Sequence, residues 1–309
     1  TGREFPAWRG MERDMQESWS VQGVYPGIAW TPDAKAVVAW AQGKLWRIDP
    51  FKGEAREIPF HVQDERELRA ARKAQQDLSP SQFESHQLRW VQVAPDGKQV
   101  VYSAAGYLYV RALPDGQPRR LTRQNEQFEF FPSFSRDGRQ LVYVSWNDAA
   151  QGRVRRLDLA SGRDSLVTRE PGKYLAPQFS PDGQQVVYQK ARGGYLTSPW
   201  NGVETGIYVA RADGQGEPQR ITKDGEAPQF GADGRSLYVT RQQRSSEVDS
   251  LKKLVRIELA TREELEVAKS EFATAFTVSP DGQWLGFTER SHTYVVPLPP
   301  SGKALSVGP

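Results

Sequence analysis

The sequence predicts an all-β fold, a β-propeller of six four-stranded blades. Three observations predict it. One turn motif recurs six times along the chain. Each copy is flanked by short runs rich in Val, Tyr, Phe and Trp. Five of the six units also carry a second, later glycine turn. The motif is clearest at Ser180-Pro181-Asp182-Gly183-Gln184 and Ser279-Pro280-Asp281-Gly282-Gln283. Variants stand at Ala94-Pro95-Asp96-Gly97-Lys98, Ser135-Arg136-Asp137-Gly138-Arg139 and Gly231-Ala232-Asp233-Gly234-Arg235. Thr31-Pro32-Asp33-Ala34-Lys35 is a copy without its glycine. Pro presets φ, Asp bonds its own backbone two residues on, and Gly accepts positive φ, so each copy reads as a tight turn between two strands.

The turn aspartates fall at 33, 96, 137, 182, 233 and 281. A strand leads into each turn, as at Ile28-Ala29-Trp30 or Pro177-Gln178-Phe179. A second leaves it, as at Val100-Val101-Tyr102 or Val186-Val187-Tyr188. A third follows, as at Leu108-Tyr109-Val110 or Ile207-Tyr208-Val209. After the later glycine turn comes a weaker fourth, as at Arg120-Leu121-Thr122 or Arg220-Ile221-Thr222. Four antiparallel strands repeating every 40 to 50 residues or so is the pattern of a propeller. A pair of β-sandwiches would not place one turn at one position six times. The blades are expected at about 27–60, 86–123, 129–168, 174–222, 227–268 and 274–309, within a propeller spanning 27–309.

Two stretches fall outside this pattern. Residues 1–26 read as an irregular leader segment, with Pro6, Gly10 and scattered charges over 5–22. Thr1-Gly2-Arg3-Glu4 resembles the tail of a repeat, such as Thr168-Arg169-Glu170, so the chain is expected to be an excised part of something longer. Residues 61–85 read as a helical insertion. Asp64 and Glu67 form a capping pair, Ala70, Ala71 and Ala74 favour helix, and Leu78-Ser79-Pro80 ends it. Its apolar face is thin, with Leu68, Ala71 and Leu78. A solvated charged helix explains it as well as a docking element does.

Composition narrows the function classes. The chain has 309 residues, enough for a sizeable core, and 13 Phe, 11 Tyr and 9 Trp suit a strand-rich fold. Net charge is +3 with no basic run, so nucleic acid is not an expected partner. There is no cysteine, hence no disulfide framework, thiolate nucleophile or Cys-based zinc site. No run of 18 apolar residues is present, so no transmembrane segment is expected.

The insertions indicate where binding would occur. Residues 61–85 lie between blades, and 145–152, 191–206 and 241–252 lie between second and third strands, so all open on one face. Loops on a rigid scaffold commonly carry binding, although they also simply tolerate insertion. The most site-like loop holds Arg192, Tyr195, Trp200 and Asn201, a set of aromatic and cationic anchors among glycines. Trp146 opens another loop on that face. Phe128-Glu129-Phe130-Phe131 brings aromatics to the start of blade three. Core between blades is the plainer reading for Phe130 and Phe131, and Phe130 is also a candidate for the mouth of the central channel.

Repeats of the form Phe-Ser-Pro-Asp-Gly, Val-Val-Tyr, a glycine turn and Arg-Ile-Thr resemble TolB-type and tricorn-type propeller repeats, from about Gly27 to the end. A narrower resemblance lies in Trp30-Thr31-Pro32-Asp33, Lys44-Leu45-Trp46-Arg47-Ile48-Asp49, Leu88-Arg89-Trp90-Val91-Gln92-Val93 and Ser291-His292-Thr293-Tyr294-Val295-Val296-Pro297. These are similar to the propeller portion of bacterial amidohydrolase-family proteins. That resemblance implies a metal-dependent catalytic barrel beyond Pro309 and a periplasmic or secreted location. The TolB likeness implies instead a free-standing envelope propeller. The expected partner is thus a covalently linked catalytic domain or an envelope protein.

Catalytic motifs are not seen in the sequence. His61, His86 and His292 are far apart with no His-x-His pair, and no Gly-x-Ser-x-Gly elbow or phosphate loop occurs. No cofactor is expected in this chain. The turn aspartates lack the alternating carboxylates of a calcium loop. A glycan-cleaving propeller using Glu126, Glu129 or Glu226 as paired carboxylates is the remaining enzymatic reading.

Overall fold

The computed structural model describes residues 5–11, 27–68, 77, 79–192, 204–244, 250–299 and 304–308. The chain divides into two compact units, residues 1–81 with 194–199 and residues 82–193 with 200–309. In the first, β1 (Ile28–Trp30), β2 (Val37–Ala41), β3 (Lys44–Asp49) and β4 (Glu54–Ile58) form one antiparallel sheet in chain order. Trp8 packs on Trp46 with ring centroids 5.3 Å apart.

The second unit holds five sheets. The first comprises β5 (Arg89–Val93), β6 (Gln99–Ala104), β7 (Tyr107–Ala112) and β8 (Arg119–Arg120), and the next β9 (Phe128–Phe134), β10 (Gln140–Trp146), β11 (Arg153–Asp158) and β12 (Asp164–Leu166). Then come β13 (Lys173–Phe179), β14 (Gln185–Ala191), β15 (Gly206–Arg211) and β16 (Gln219–Thr222). They are followed by β17 (Glu226–Phe230), β18 (Ser236–Arg244), β19 (Ser250–Glu258) and β20 (Glu264–Ser270). The last is β21 (Ala273–Val278), β22 (Trp284–Glu289) and β23 (His292–Pro297). Each sheet is an antiparallel meander.

Three sequence expectations change. The last sheet has three strands, not four. The final strand, β24 (Leu305–Ser306), pairs in parallel with β20 instead, where Leu305 and Val307 join the apolar cluster between the last two sheets. The insertion at 241–252 is mostly strand: β18 and β19 stay paired out to Arg244 and Ser250. Ion pairs from Arg241 to Glu264 and from Lys253 to Glu266 line that hairpin. The helix expected within 61–85 is not found in its described parts. Residues 61–68, 77 and 79–85 carry no helix, and Leu68 stands 90% exposed; the rest of that expectation, over 69–76 and 78, lies outside the described residues. Among the described residues no helix is long and apolar enough to cross a membrane.

The core explains why the second strands read as unbroken apolar runs. Successive residues of a strand point to opposite faces, and each of the three middle sheets of the second unit meets a neighbour on each side. Leu141 packs toward the sheet before it, with Val101 and Leu108, whereas Val142 packs toward the sheet after it, with Val186 and Tyr188. Val186 and Val187 divide in the same way, Val187 joining Leu237 and Val239. Leu237 and Tyr238 repeat the pattern, Tyr238 joining Leu285 and Phe287.

The turn motif sets the register. At the fullest copy, Ser180 Oγ donates to Asp182 Oδ1 at 2.5 Å, and the Gln184 N–H donates to the same oxygen at 3.0 Å. The Gly183 N–H closes the turn onto the Ser180 carbonyl at 2.9 Å, with Gly183 at φ +71°. The copy lacking glycine makes the same turn with Ala34 at φ +54°. These bonds favour the ionised carboxylate. Asp137, Asp182 and Asp281 are all held below the usual carboxylate range, first by the hydroxyl two residues earlier and then by the N–H two residues later.

A carboxyl whose folded pKa is depressed contributes stability above its unfolded value, about pH 4, and loses it as pH falls through the folded value. The melting temperature of the chain should therefore fall as pH drops below about 4. Asp182→Asn should lower it at neutral pH and flatten that acid limb. Thermal melts of both proteins across this range check it, and parallel curves would contradict it.

Candidate functional site

The inner strands of the second unit share one irregularity. Register shifts interrupt the pairing of β5 with β6, β9 with β10, β13 with β14 and β17 with β18. At each shift one residue is left-handed: Trp90 (φ +52°), Phe131 (φ +53°), Ala176 (φ +46°) and Ala227 (φ +49°). Each stands six positions before its turn aspartate. The bulge is therefore part of the repeat. A left-handed conformation costs any L-residue about 1–2 kcal/mol, and it is rarest for bulky ones. Two repeats place alanine there, and the two neighbouring ones place Trp and Phe.

Those two aromatics come together. The Trp90 ring lies 4.2 Å from Phe131 and, edge-on, 5.6 Å from Phe130. Phe128 continues the row at 6.3 Å from Phe130, and Tyr107 lies 6.3 Å from Phe128. The Arg120 guanidinium sits over Tyr107 at 3.9 Å, as a cation stacks on a π face. Phe128 approaches so near to Gly106 that a Cβ there would lie 2.5 Å from its ring, and Gly106 is at φ +85°, so this position requires glycine. Beside the row opens a depression of about 380 Å³, lined by Phe83, Trp90, Ser103 and Phe130 among others. Phe83 and Phe128 are exposed.

One buried carboxyl holds the shelf in place. Glu129 is fully buried, and its side chain accepts from the Leu108 N–H at 2.9 Å, Thr122 Oγ1 at 2.8 Å and Gln124 Nε2 at 2.6 Å. Its carbonyl accepts from Ser103 Oγ at 2.8 Å, and its N–H donates to Gly106 at 2.8 Å. One residue of β9 thus fastens to β6, β7 and the segment after β8. With every oxygen engaged, Glu129 is a structural clamp and not one of a catalytic carboxylate pair. Glu226, a further paired-carboxylate candidate, pairs with Lys252 at 3.6 Å, and Glu126 is exposed just before β9.

The sequence-chosen residues divide. Phe130 belongs to the shelf, and Phe130 and Phe131 also pack on the cluster between the second and third sheets of this unit. Trp146 is brought to the same end of its sheet, opposite Phe128 in register, with its Nε1 donating to Asp148 at 3.0 Å. Arg192 is exposed just after β14, at the corresponding end of the next sheet. Tyr195, Trp200 and Asn201 lie outside the described residues. Trp90 was missed as a site residue. Aligning the repeats on their aspartates reveals it, because Trp and Phe stand where later copies have Ala.

Comparison with known proteins bears on the fold. No family model matches the chain. The Tol-Pal system protein TolB of Francisella tularensis subsp. holarctica is 32% identical over 96 residues, 30% of this chain and 22% of the relative. The chain thus matches about a fifth of the length of these curated relatives. Crystal structures of TolB from Acinetobacter baumannii (TM-score 0.50, 16% identity, 85% of this chain and 60% of that one) and of the tricorn protease (TM-score 0.53, 13% identity, 88% and 29%) share its architecture. The fold is a TolB-like β-propeller. Within this TolB-like propeller the inner strands, which carry the bulges, bear the aromatic shelf at the end where the inter-sheet connections enter.

Removing the clamp should loosen this end of the propeller. Glu129→Ala orphans the buried Leu108 N–H, which costs about 1–3 kcal/mol. Glu129→Gln, which keeps one acceptor, should cost less. Urea unfolding should show midpoints in the order wild type, Glu129→Gln, Glu129→Ala. Equal midpoints would remove the clamp from the account.

Proposed function

We propose that this chain is a non-catalytic binding propeller whose aromatic shelf, Trp90 with Phe130 and Phe131, docks a protein partner. The shelf itself carries the reading. Two bulky residues are kept in a left-handed conformation, at a cost, where the same repeat elsewhere uses alanine. Rigid aromatics flanked by an arginine are the residue types that dominate protein-binding hot spots.

The sequence supports two kinds of partner. The amidohydrolase-like stretches support a propeller that docks or gates a metal-dependent hydrolase barrel covalently linked to it, in the periplasm or outside the cell. The relatives named as Tol-Pal system proteins support the alternative, a free-standing propeller that binds an envelope protein. In either case the contact is with a protein and the chemistry lies elsewhere.

The test compares the wild-type chain with a Trp90→Ala/Phe130→Ala double variant as immobilised bait for the linked hydrolase barrel and for Tol-Pal components of the same cell. Binding of one of these should weaken about tenfold or more in the double variant, measured below its melting temperature with its circular dichroism spectrum unchanged. Equal binding by both would reject the shelf as the contact. Metal-dependent amide hydrolysis by the chain alone would reject the non-catalytic reading.

A further inference from the structure

A second feature lies on the outer side of the same two sheets. Outer strands grow longer along the unit: β8 has two residues, β12 three, β16 four and β20 seven. Beside the shortest, a cleft of about 750 Å³ runs between β8, with the residues after it, and the β11–β12 turn. Its floor is the open edge of the core between the two sheets, with half-buried Leu121, Phe134 and Leu159.

The protein shows how such a cleft can be filled. Between its last two sheets, β24 pairs in parallel with the outer strand β20, Ala268 facing Leu305 and Lys269 facing Ser306. The Val307 N–H donates to Lys269 at 2.9 Å. Leu305 and Val307, two apart and so on one side of the strand, close the cluster of Phe276, Phe287 and Leu298. Beside β8 no described segment plays that part.

The charges there select a partner. Arg119 and Arg123 line the cleft, both exposed and without an ion pair among the described residues. The Nε of Arg120 is buried without a partner. The nearby carboxylates are already engaged. Asp158 accepts from Ser161 Oγ at 2.6 Å and the Ser161 N–H at 2.8 Å, and Asp164 accepts from Arg155 and Tyr143. Three arginines thus face Asp158, whose donors are neutral, and Asp164, which Arg155 neutralises, so the cleft keeps a net positive charge over an apolar floor.

We propose that this cleft is a strand-addition site for an extended segment of a partner protein that alternates apolar with acidic residues. The segment runs parallel to β8, as β24 runs to β20. It sets apolar side chains on Leu121, Phe134 and Leu159, and its carboxylates against Arg119 and Arg123. Main-chain pairing supplies much of the affinity in this mode, and side-chain pockets and charge supply the selectivity. The site is independent of the aromatic shelf.

The test uses a labelled peptide that gives the apolar pair of the internal strand acidic neighbours, Glu-Leu-Glu-Val-Glu, against the same peptide with every Glu replaced by Lys, followed by fluorescence anisotropy. Wild-type protein should bind the acidic peptide about tenfold or more tighter than the basic one. Arg119→Glu/Arg123→Glu should reverse that order, and Leu121→Arg should abolish binding of both, with circular dichroism unchanged. Trp90→Ala/Phe130→Ala should leave peptide binding intact, which separates failure here from failure of the shelf. Equal binding of the two peptides, or none by the wild type, would overturn the proposal. So would sedimentation showing that the cleft is closed by a second copy, with a dimer lost in Arg119→Glu/Arg123→Glu. A heparin fragment binding in place of the acidic peptide would overturn it in favour of a polyanion.

Discussion

A carboxylate oxygen that takes two or more hydrogen bonds within a few residues sets the geometry of five of the six repeats. In Ser180-Pro181-Asp182-Gly183-Gln184 the Asp182 side chain accepts from the hydroxyl before it and the N–H after it, and the Gln185 N–H then donates to Ser180 Oγ. The chain reverses in the space of one turn, and the two strands emerge in fixed register. A slip of one residue would send every side chain of a strand to its opposite face. Here both faces are buried, toward different neighbouring sheets, so the turn decides which residue enters which core.

The shelf follows from that register. Counting back six residues from the aspartate reaches the left-handed bulge of the inner strand, four times in the second unit. In two of those repeats the bulge carries an aromatic, and Glu129, beside it in sequence, fastens the inner strand to the sheet before. The same carboxyl takes the Leu108 N–H, which a longer β8 would otherwise bond. One clamp thus positions the shelf at one end of β9 and accompanies the early stop of the outer strand that leaves the cleft open.

Much of the fold was legible because it rests on local chemistry. The turns at Asp96, Asp137, Asp182, Asp233 and Asp281 are written in adjacent residues, and the strands around them in apolar runs. What the sequence left illegible was non-local. Nothing near Leu305 says that it pairs with Ala268 and not with β23, because that choice is made by a cluster assembled from two sheets. For the site, Phe130 was legible as an aromatic near a strand start. Trp90 was not, since its significance lies in the contrast with Ala176 and Ala227 at one repeat position. Glu129 looked like a candidate acid and proved to be a clamp, because its donors come from three separate elements.

The TolB-like fold, one face rich in connections, and an aromatic row at that face support the proposal that this propeller holds a protein partner. The most direct measurement places a photo-crosslinking benzoylphenylalanine at Phe130, and separately at the exposed turn residue Lys98 on the opposite face, in the full-length protein in its own cell. The account predicts a discrete protein adduct from position 130 and none from position 98. An adduct from 98 alone, equal adducts from both, or none from 130 would contradict it.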